Sequence, residues 1–341
     1  MRITASAPGK LVLLGEYAVL EGAPALVLAV DRRASVTLTP SGTGDWAIVS
    51  PTLRMEARLR VADGTAAWTG AAPLELAWIA TLLARWPHTP GVAPQRVELQ
   101  SDAFYLEHAG QRVKLGLGSS AALTVALLGA LHALDGTPQP ALDAVIDAHR
   151  AIQHGRGSGI DIAASLGGGL SRFQLDAARA ASRTPLPWPE PLRWRCVFSG
   201  RATSTSAMLA RVAAWRARNP SAFERHTREL TTIAARGANA VANHDPATFL
   251  SSMRGYADAL ARFGTAAATD IASHEHRAIG ALADACGCVY KSCGAGGGDV
   301  GVTFGVDDDP LQEFESQAAR AGFPVIGLDA DAHGLEIVVN D

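Results

Sequence analysis

The stretch Lys114-Leu-Gly-Leu-Gly-Ser-Ser-Ala-Ala122 leads directly into an apolar run over residues 123–134. Its two glycines permit a tight backbone, and the serines that follow begin a helix whose first amides have no partner inside the helix. Such amides, at the positive end of a helix dipole, form a site for an anion. Ser119 or Ser120 is expected to cap the helix, which leaves the other hydroxyl for a phosphate or a metal. No lysine follows the second glycine, so this is not a GxxxxGK[ST] loop, and a glycine-rich start that only packs tightly is the alternative.

The composition is that of a globular protein. Apolar residues make up 48% of the sequence and charged residues 18%. At 341 residues the chain is long enough for two domains with a substantial core. The formal net charge of −3 argues against non-specific binding of nucleic acid. An anionic ligand would therefore be attracted by a local cluster of basic groups.

Charged residues interrupt every apolar run near the start of the sequence, namely Lys10, Glu16, Glu21 and Asp31. This pattern predicts no signal peptide. The longest nearly uncharged apolar stretch, residues 121–134, is too short to span a bilayer. We therefore expect a cytoplasmic protein with no membrane partner.

The cysteines are Cys196, Cys286, Cys288 and Cys293. Their C-x-C-x4-C grouping lacks the paired CxxC spacing of a zinc site, and no histidine lies at ligand spacing beside it. Reduced structural thiols are the favoured interpretation.

The apolar pattern predicts an α+β protein in which strands and helices are mixed along the chain. Strands are predicted at 2–5, 11–14, 25–30, 32–39, 96–101, 195–199, 288–290, 300–304, 324–328 and 334–339, with a meander of short exposed strands over 41–72 and a hairpin strand within 167–173. Helices are predicted from Pro73 to a stop at Pro87, after the 114–122 stretch, and over 140–153, 205–218, 221–240, 246–263, 272–285 and 310–321.

Four prolines at alternate positions mark a stiff connector over residues 185–191. We therefore divide the chain into an N-terminal domain over residues 1–184 and a C-terminal domain over residues 192–341.

Four glycine-bracketed segments offer main-chain amides to phosphate, and four cations stand beside or within them. The segments are 8–10, 116–121, 157–161 and 294–299, and the cations are Lys10, Lys114, Arg156 and Lys291. Phosphoryl transfer needs positioning, a divalent cation, positive charge on the oxygens and a carboxylate beside the nucleophile. With Asp161 as the carboxylate, these parts fit an ATP-dependent kinase.

Three segments resemble the three motifs of the GHMP kinase superfamily, which includes galactokinase and the homoserine, mevalonate and phosphomevalonate kinases. They are APGKLVLLGEYAV at 7–19, GLGSSAA at 116–122 and SCGAGGGD at 292–299. The resemblance implies a two-domain GHMP kinase fold, with an N-terminal domain like ribosomal protein S5 domain 2 and a ferredoxin-like C-terminal domain. It also implies that ATP and substrate lie in the cleft between the domains.

Within the superfamily the sequence most resembles the phosphomevalonate kinases. The matching features are Lys114 before LGLGSS, the AH…Q…GSGxD spacing of residues 148–161, the segment SGRATST at 199–205 and Lys291 before the GAGGGD loop. Mevalonate kinases carry a glutamate magnesium ligand eleven residues before the motif aspartate, whereas this chain has Arg150 there. Ser292-Cys293 and His154 depart from the phosphomevalonate kinase pattern and bear on substrate detail.

The resemblance implies a role for each matching residue, with ATP and Mg2+ as cofactors. Asp161, with Lys10 near it, and Lys114 are expected to be catalytic, and Ser120 is expected to bind the metal. The triphosphate would be held by Gly116, Leu117, Gly118, Ser119, Ser120 and Ala121. Expected substrate contacts are Lys10, Tyr17, His149, Ser158, Gly159, Ser204, Thr205, Gly296 and Gly297.

Structural alternatives stand beside these roles. In the alternative interpretation, Asp161 is an Asx-turn or cap residue and His149 is a hydrogen-bonded core histidine. Ser204 and Thr205 precede a predicted helix and can serve as its cap. Glu16 is expected to pair with a nearby basic group rather than bind metal, and Asp299 is expected to turn the chain.

The function predicted from the resemblance is ATP-dependent conversion of phosphomevalonate to diphosphomevalonate in the mevalonate pathway of isoprenoid biosynthesis, by a monomer or homodimer. A kinase of mevalonate or another small molecule is the alternative in the same class. A non-catalytic GHMP-like ligand sensor is the alternative from another class, although such a sensor is expected to have lost the functions of Ser120, Asp161 or Lys10.

Overall fold

The computed structural model describes residues 1–62, 64–86, 92–153 and 155–340. The strands are β1 (Arg2–Leu14), β2 (Ala25–Pro40), β3 (Trp46–Ser50), β4 (Met55–Ala62), β5 (Thr65–Trp68), β6 (Gln95–Gln100), β7 (Tyr105–His108), β8 (Gln111–Lys114), β9 (Leu170–Leu175), β10 (Ala181–Leu186), β11 (Arg193–Phe198), β12 (Val289–Ser292), β13 (Val300–Gly305), β14 (Val325–Ile326) and β15 (Glu336–Asn340). The helices are α1 (Ala77–Arg85), α2 (Ser119–Leu134), α3 (Leu142–Ile152), α4 (Ile160–Gly167), α5 (Thr205–Arg218), α6 (Pro220–Ala242), α7 (Pro246–Ala266), α8 (His274–Ala285) and α9 (Asp308–Arg320). The predicted helix stop at Pro87 and the departure at His154 lie outside the described residues.

The N-terminal half is built on a nine-stranded sheet in which β1 and β2 are the long central pair. The prediction of two short strands on either side of Pro8-Gly9 is wrong, because the chain runs through this point as one strand. A shift of register between Pro8 and Gly9 takes up the irregularity as a β-bulge. The strands predicted at 25–30 and 32–39 likewise form the single strand β2. Lys10 therefore lies in the middle of a buried strand.

Helices α2 and α4 pack on one face of β1 and β2. Most residues of α2 are buried, as expected for a helix that is apolar on all sides. The predicted meander over residues 41–72 is present as β3, β4 and β5, but β3 is mostly buried rather than exposed because it pairs with both β4 and β6. This layering places the amino ends of α2 and α4 beside Lys10.

The C-terminal half contains a four-stranded sheet with the order β12-β13-β11-β14. This is the strand order of a split β-α-β arrangement, and the α+β prediction is confirmed. The helices predicted between residues 205 and 285 are present as α5, α6, α7 and α8. All four cysteines carry free thiols, and three of them are buried. No helix within the described residues has the length and apolar character needed to cross a membrane.

The last strand, β15, does not join the C-terminal sheet. It pairs antiparallel with β1, with Arg2 opposite Asn340 and Ser6 opposite Glu336. Arg33 of β2 supports this return by binding the Asp331 and Glu336 carboxylates. Residues 336–340 therefore lie in the N-terminal sheet, while the division at residues 185–191 stays a prediction.

A buried ion pair connects the two halves. Lys291 of β12 donates to Glu16, which follows β1, and both side chains are almost completely buried. The Tyr256 hydroxyl of α7 donates to the main-chain oxygen of Glu16 at 2.8 Å. Burial raises the pKa of Glu16, and the Lys291 ammonium opposes that shift. The sequence-based expectation that Glu16 pairs with a basic group is confirmed.

Lys291→Met is expected to lower the free energy of unfolding by about 3–5 kcal/mol, because it leaves a buried carboxylate without its cation. The combined change Glu16→Gln with Lys291→Met should recover most of that loss, since it buries no charge. Urea denaturation of the three proteins measures both effects. Equal losses in the single and double variants would contradict the coupling.

Candidate active site

The glycine-rich stretch ahead of α2 forms an open phosphate loop (residues 116–121). Gly118 is the N-cap of α2 with φ 84°, and no side chain caps this helix. The prediction that Ser119 or Ser120 caps it is therefore wrong, because both serines already lie inside the first turn. Ser119 is buried and Ser120 is exposed. The first-turn amides of α2 have no partner within the helix, so they suit an anion.

Lys10 connects the phosphate loop to α4. Its Nζ atom lies 3.3 Å from the main-chain oxygen of Gly116 and 3.7 Å from Asp161 Oδ1. The main-chain amide of Lys10 donates to Leu117 O at 2.9 Å. The lysine is buried, whereas the Asp161 side chain is 39% exposed. Sequence reasoning placed these two side chains together, and the structure does the same.

Asp299 contacts the phosphate loop from the other half of the chain. A Cβ atom added at Gly116, where φ is 69°, would lie 2.4 Å from Asp299 Oδ2 and 2.7 Å from Asp299 Cβ. Gly116 is therefore required by close approach as well as by its backbone angle. Burial raises the pKa of Asp299, while the Thr203 amide, Lys10 and Lys114 hold it down.

Lys114 ends β8 immediately before the phosphate loop, and its side chain is exposed to solvent. The surrounding protein lowers the pKa of Lys114 by desolvation, and the Asp299 carboxylate opposes that shift. Lys10, Lys114 and Lys291 are the three lysines of the sequence. Lys10 and Lys114 lie beside the phosphate loop, whereas Lys291 is completely buried in its pair with Glu16.

A cavity of about 700 Å³ opens beside Lys10. Its polar lining includes Lys10, Asp161, Arg156, Thr205 and Ser206, and its apolar lining includes Val12, Leu20 and Leu209. Elements from both halves of the chain thus enclose it. A cavity of this size and mixed lining suits a small organic anion.

The turn that delivers Asp161 is held by Arg150. Gly159 is the N-cap of α4 with φ 92°, so Asp161 lies in the first helical turn and is not itself the cap. The Arg150 guanidinium donates to Ser158 O at 3.1 Å and to Gly157 O at 3.4 Å. The Ser158 hydroxyl accepts from the Ile160 amide at 3.3 Å.

His149 occupies a fixed place between α2 and the cavity. Thr124 donates its hydroxyl hydrogen to Ser120 O, so its oxygen accepts from His149 Nδ1 at 3.0 Å. His149 Nε2 then accepts from the side-chain amide of Gln153 at 2.9 Å. Burial lowers the pKa of His149, and Asp161 opposes that shift. These partners assign a neutral ring with its proton on Nδ1.

The remaining predicted substrate contacts are divided between the cavity and its surroundings. Thr205 lines the cavity, and Ser204 caps α5 by accepting from the Ala207 amide. The Tyr17 hydroxyl lies at the cavity and donates to Ala295 O at 2.6 Å. Gly296 and Gly297 instead pack against main-chain atoms of Asp270 and Ile271, while Gly294 and Ala295 line the cavity.

His276 supports the glycine-rich loop of residues 294–299 from below. Its Nε2 atom donates to Gly298 O at 2.9 Å, and its Nδ1 atom accepts from the Tyr290 hydroxyl at 2.7 Å. Burial lowers the pKa of His276 to about 4. The neutral ring is therefore the form that the folded protein requires.

Sequence reasoning missed three contributors to this site. Asp299 was expected only to turn the chain, although its position directly after four glycines and alanine was a signal of a close approach. Arg150 was considered only as a missing metal ligand, and Thr124 carried no signal beyond its helical spacing to Ser120. Their roles depend on contacts between segments that the sequence separates.

The donors present fit a magnesium ion that is held mainly by nucleotide. No described group of three or more His, Cys, Asp or Glu side chains could hold a metal ion by itself. Magnesium in kinases is held by few protein groups plus substrate phosphates. The exposed Ser120 hydroxyl at the start of α2 is such a group.

Comparison with known proteins agrees with this geometry. Residues 80–169 match the model of the GHMP kinases N terminal domain family. The chain is 29% identical over 338 residues to a phosphomevalonate kinase from Streptomyces sp. strain CL190, covering 89% of each protein. It is 33% identical over 216 residues to a mevalonate kinase from Methanothermobacter thermautotrophicus, covering 62% of each.

Among solved structures, the chain is similar to Streptococcus pneumoniae phosphomevalonate kinase in complex with phosphomevalonate and AMPPNP. The TM-score is 0.76 at 18% identity, with 96% of this chain and 99% of that chain covered. The chain thus matches the GHMP kinases N terminal domain model over residues 80–169 and has the two-domain α+β fold of the GHMP kinases. The resemblance to this superfamily, with phosphomevalonate kinase among the similar proteins, is confirmed.

Gly116→Ala is expected to destabilise the protein more than Gly42→Ala. Both glycines have nearly the same φ, 69° and 68°, but a Cβ at Gly42 has nothing within 4 Å. Gly42→Ala should therefore lower the free energy of unfolding only by the cost of a left-handed alanine, about 1–2 kcal/mol. Gly116→Ala adds the clash with Asp299 to that cost. Urea unfolding measures the difference, and equal losses would contradict the close approach.

His276→Gln tests the support of the 294–299 loop by its pH dependence. The folded-state pKa lies below the ordinary 6.5, so the stabilisation by His276 is complete above pH 6.5 and is lost as the pH falls toward 4. The stability advantage of the native protein over the variant should shrink across that window by up to about 3 kcal/mol. Urea unfolding at several pH values measures it, and a pH-independent difference would contradict the assignment.

Proposed function

We propose that this chain is an ATP-dependent kinase that transfers the γ-phosphoryl group of ATP to phosphomevalonate, giving diphosphomevalonate and ADP. The observation that carries the proposal is the cavity beside Lys10. Lys10 joins that cavity to the phosphate loop, because its Nζ atom contacts both Gly116 O and Asp161. The family match and the similarity to phosphomevalonate and mevalonate kinases support a kinase of this pathway.

The nucleotide side of the reaction uses the phosphate loop. The main-chain amides of residues 116–121 would bind the triphosphate at the positive end of the α2 dipole. Ser120 would hold Mg2+, which when bound offsets the charge on the transferring phosphoryl oxygens. Lys114 would contact the γ-phosphate from the adjacent end of β8.

The acceptor side of the reaction uses the cavity. Arg156 and the amino end of α5, with Thr205 and Ser206, line it and suit the phosphate that the acceptor already carries. Val12, Leu20 and Leu209 supply an apolar surface for the carbon skeleton. The other residues that we assign to the acceptor are Tyr17, His149, Ser158 and Gly159, which also line the cavity.

In the transfer step an oxygen of the acceptor phosphate forms a bond to the γ-phosphorus, and the bond from that phosphorus to the β,γ-bridging oxygen breaks. The electron pair leaves with ADP. A phosphomonoester has a second pKa near 6, so its oxygen needs no proton removed at neutral pH. The main requirement is relief of charge repulsion, which Lys10 and Lys114 supply, while Asp161 orients Lys10.

A phosphorylated acceptor is favoured over mevalonate by Arg150. This residue stands where mevalonate kinases carry a glutamate ligand, and its guanidinium instead fixes the carbonyls of Gly157 and Ser158. An arginine there adds positive charge behind the turn and binds no metal. Phosphorylation of mevalonate is the second candidate function, supported by the similarity to mevalonate kinases.

A coupled assay of ADP release with mevalonate and phosphomevalonate in parallel separates the candidates. We expect turnover with phosphomevalonate and at least about tenfold lower kcat/KM with mevalonate. Preference for mevalonate would replace the first candidate by the second. Binding of either compound without ADP release would indicate a ligand sensor.

Lys114→Ala is expected to lower kcat/KM for phosphomevalonate roughly a hundredfold, because it removes charge that stabilises the transferring group. Asp161→Asn is expected to lower kcat/KM by a smaller factor, since the acceptor needs no general base. Steady-state kinetics measure both, with the exposed Arg228→Ala on α6 as a control variant. Complete loss on Asp161→Asn with a silent Lys114→Ala would contradict this mechanism.

A further inference from the structure

A series of side-chain hydrogen bonds runs from the first turn of α2 to the wall of the cavity beside Lys10. The Thr124 hydroxyl donates to Ser120 O, one turn back, at 2.9 Å. His149 Nδ1 lies 3.0 Å from the Thr124 oxygen, and His149 Nε2 lies 2.9 Å from Gln153 Nε2. Thr124 is completely buried and His149 almost so, while Gln153 is exposed at the cavity. The position of Gln153 is thus linked to a main-chain carbonyl of the phosphate loop.

The donors and acceptors in this series fix the direction of every bond. Because the Thr124 hydrogen is used on Ser120 O, the Thr124 oxygen can only accept, and His149 Nδ1 must carry a proton. Nε2 of the same neutral ring then accepts, so only the nitrogen end of the Gln153 amide can meet it. Both ring nitrogens are occupied in this way. His149 can therefore contact a substrate only with its carbon edge, and Gln153 is the polar group that the series presents to the cavity.

The oxygen end of the Gln153 amide lies against Gly157 in the cavity wall. A Cβ atom added at Gly157, where φ is 96°, would lie 2.6 Å from Gln153 Oε1. Both residues line the cavity. Within the part of the chain that the structure describes, no donor binds this oxygen. It is therefore available to a hydrogen-bond donor of a ligand.

The ligand group that fits Gln153 Oε1 must supply a hydrogen. An ionised carboxylate has none, and a phosphomonoester with a second pKa of about 6 has largely lost its own at neutral pH. Such charged groups are suited instead to Lys10 and Arg156, which line the same cavity. A hydroxyl group carries a hydrogen that it can donate. The chemistry at this point of the wall therefore favours a hydroxyl.

We propose that Gln153 determines specificity by accepting a hydrogen bond from a hydroxyl group of the phosphoryl acceptor, and that Thr124 is a positioning residue that fixes the Gln153 amide through the tautomer of His149. Which hydroxyl is bound rests on the proposed function, in which it is the tertiary hydroxyl of phosphomevalonate. Without the Thr124 hydroxyl, the proton moves to His149 Nε2. The Gln153 amide then turns its oxygen to the ring and its nitrogen to the cavity.

The tautomer can be tested in the protein alone. With 15N-labelled histidine, multiple-bond 1H–15N spectra show which ring nitrogen carries the proton at about pH 8, above the ordinary histidine pKa of about 6.5. His149→Gln identifies the His149 signals among those of the ten histidines. We expect the proton on Nδ1 in the native protein and in Thr124→Ser, which keeps the hydroxyl. In Thr124→Val, which keeps the size of the side chain, we expect it on Nε2. A proton on Nε2 in the native protein, or on Nδ1 in Thr124→Val, would overturn the proposal.

Kinetics with phosphomevalonate and with its analogue that lacks the tertiary hydroxyl test the specificity. The native protein should prefer phosphomevalonate at least about tenfold in kcat/KM, because the analogue leaves Gln153 Oε1 unpaired in the complex. Gln153→Met and Thr124→Val should reduce that preference to less than about threefold, by raising the KM for phosphomevalonate with little change in kcat. An unchanged preference in Gln153→Met, or a native protein that does not distinguish the analogue, would contradict binding of the hydroxyl.

The variants separate positioning from packing. Thr124→Ser removes a buried methyl group, so a role in packing alone would make it the more damaging change, whereas the proposal gives that place to Thr124→Val. The matched control is Thr231→Val on α6, since Thr231 makes the same bond to a carbonyl one turn back, at 2.8 Å from Thr227 O. It should leave the His149 tautomer and the kinetics unchanged. Because Gln153 is exposed, Gln153→Met keeps the test of specificity available even where Thr124→Val does not fold.

Failure of this proposal and failure of the proposed function give different results. If mevalonate is the substrate, the same comparison uses mevalonate and its analogue, because mevalonate carries the same tertiary hydroxyl. If the native protein phosphorylates neither compound, the proposed function fails, while the spectra still decide whether Thr124 fixes the tautomer that orients Gln153.

Discussion

Pairing of buried or half-buried charges across the cleft is the interaction on which this structure depends. Two of the three lysines pair directly with a carboxylate, Lys10 with Asp161 and Lys291 with Glu16. Removing a charge from water costs several kcal/mol unless a partner offsets it, so these two buried ammonium groups depend on the carboxylates that accompany them. The Lys291–Glu16 pair also joins the two halves of the chain, and Glu16 lines the cavity, so the packing of the halves and the charge balance of the site are coupled.

The use of lysine at these places has a chemical reason. A lysine ammonium is a compact charge on a flexible stem, and in the proposed kinase reaction it would follow the phosphoryl group as that group moves between two oxygens. A guanidinium has a planar set of donors and suits a fixed partner, as Arg150 shows with the carbonyls of Gly157 and Ser158. Under the proposed function, lysines would therefore serve the transferring group, while Arg150 holds the backbone.

Local pattern predicted the fold class, the helices of the C-terminal half and the glycine-rich segments, because turn chemistry and apolar spacing act over a few residues. The placement of Lys10 beside Asp161 came from motif resemblance. Local pattern gave a wrong prediction for β1, because strand pairing continues through Pro8-Gly9. It was also wrong for the N-cap of α2, which is Gly118 and not a serine. It could not show Asp299 against Gly116, since that contact joins segments that are far apart in the sequence and depends on the final packing.

The return of β15 to β1 affects how the protein forms during synthesis. β1 carries Lys10 and has β2 on one side, but its other neighbour is made of residues 336–340. While the chain emerges from the ribosome, the central sheet therefore keeps an unpaired edge until almost all of the described chain has been translated. Completion of the sheet that holds Lys10 is thus a late event, and a nascent chain that stalls before β15 exposes a strand able to pair with a foreign edge.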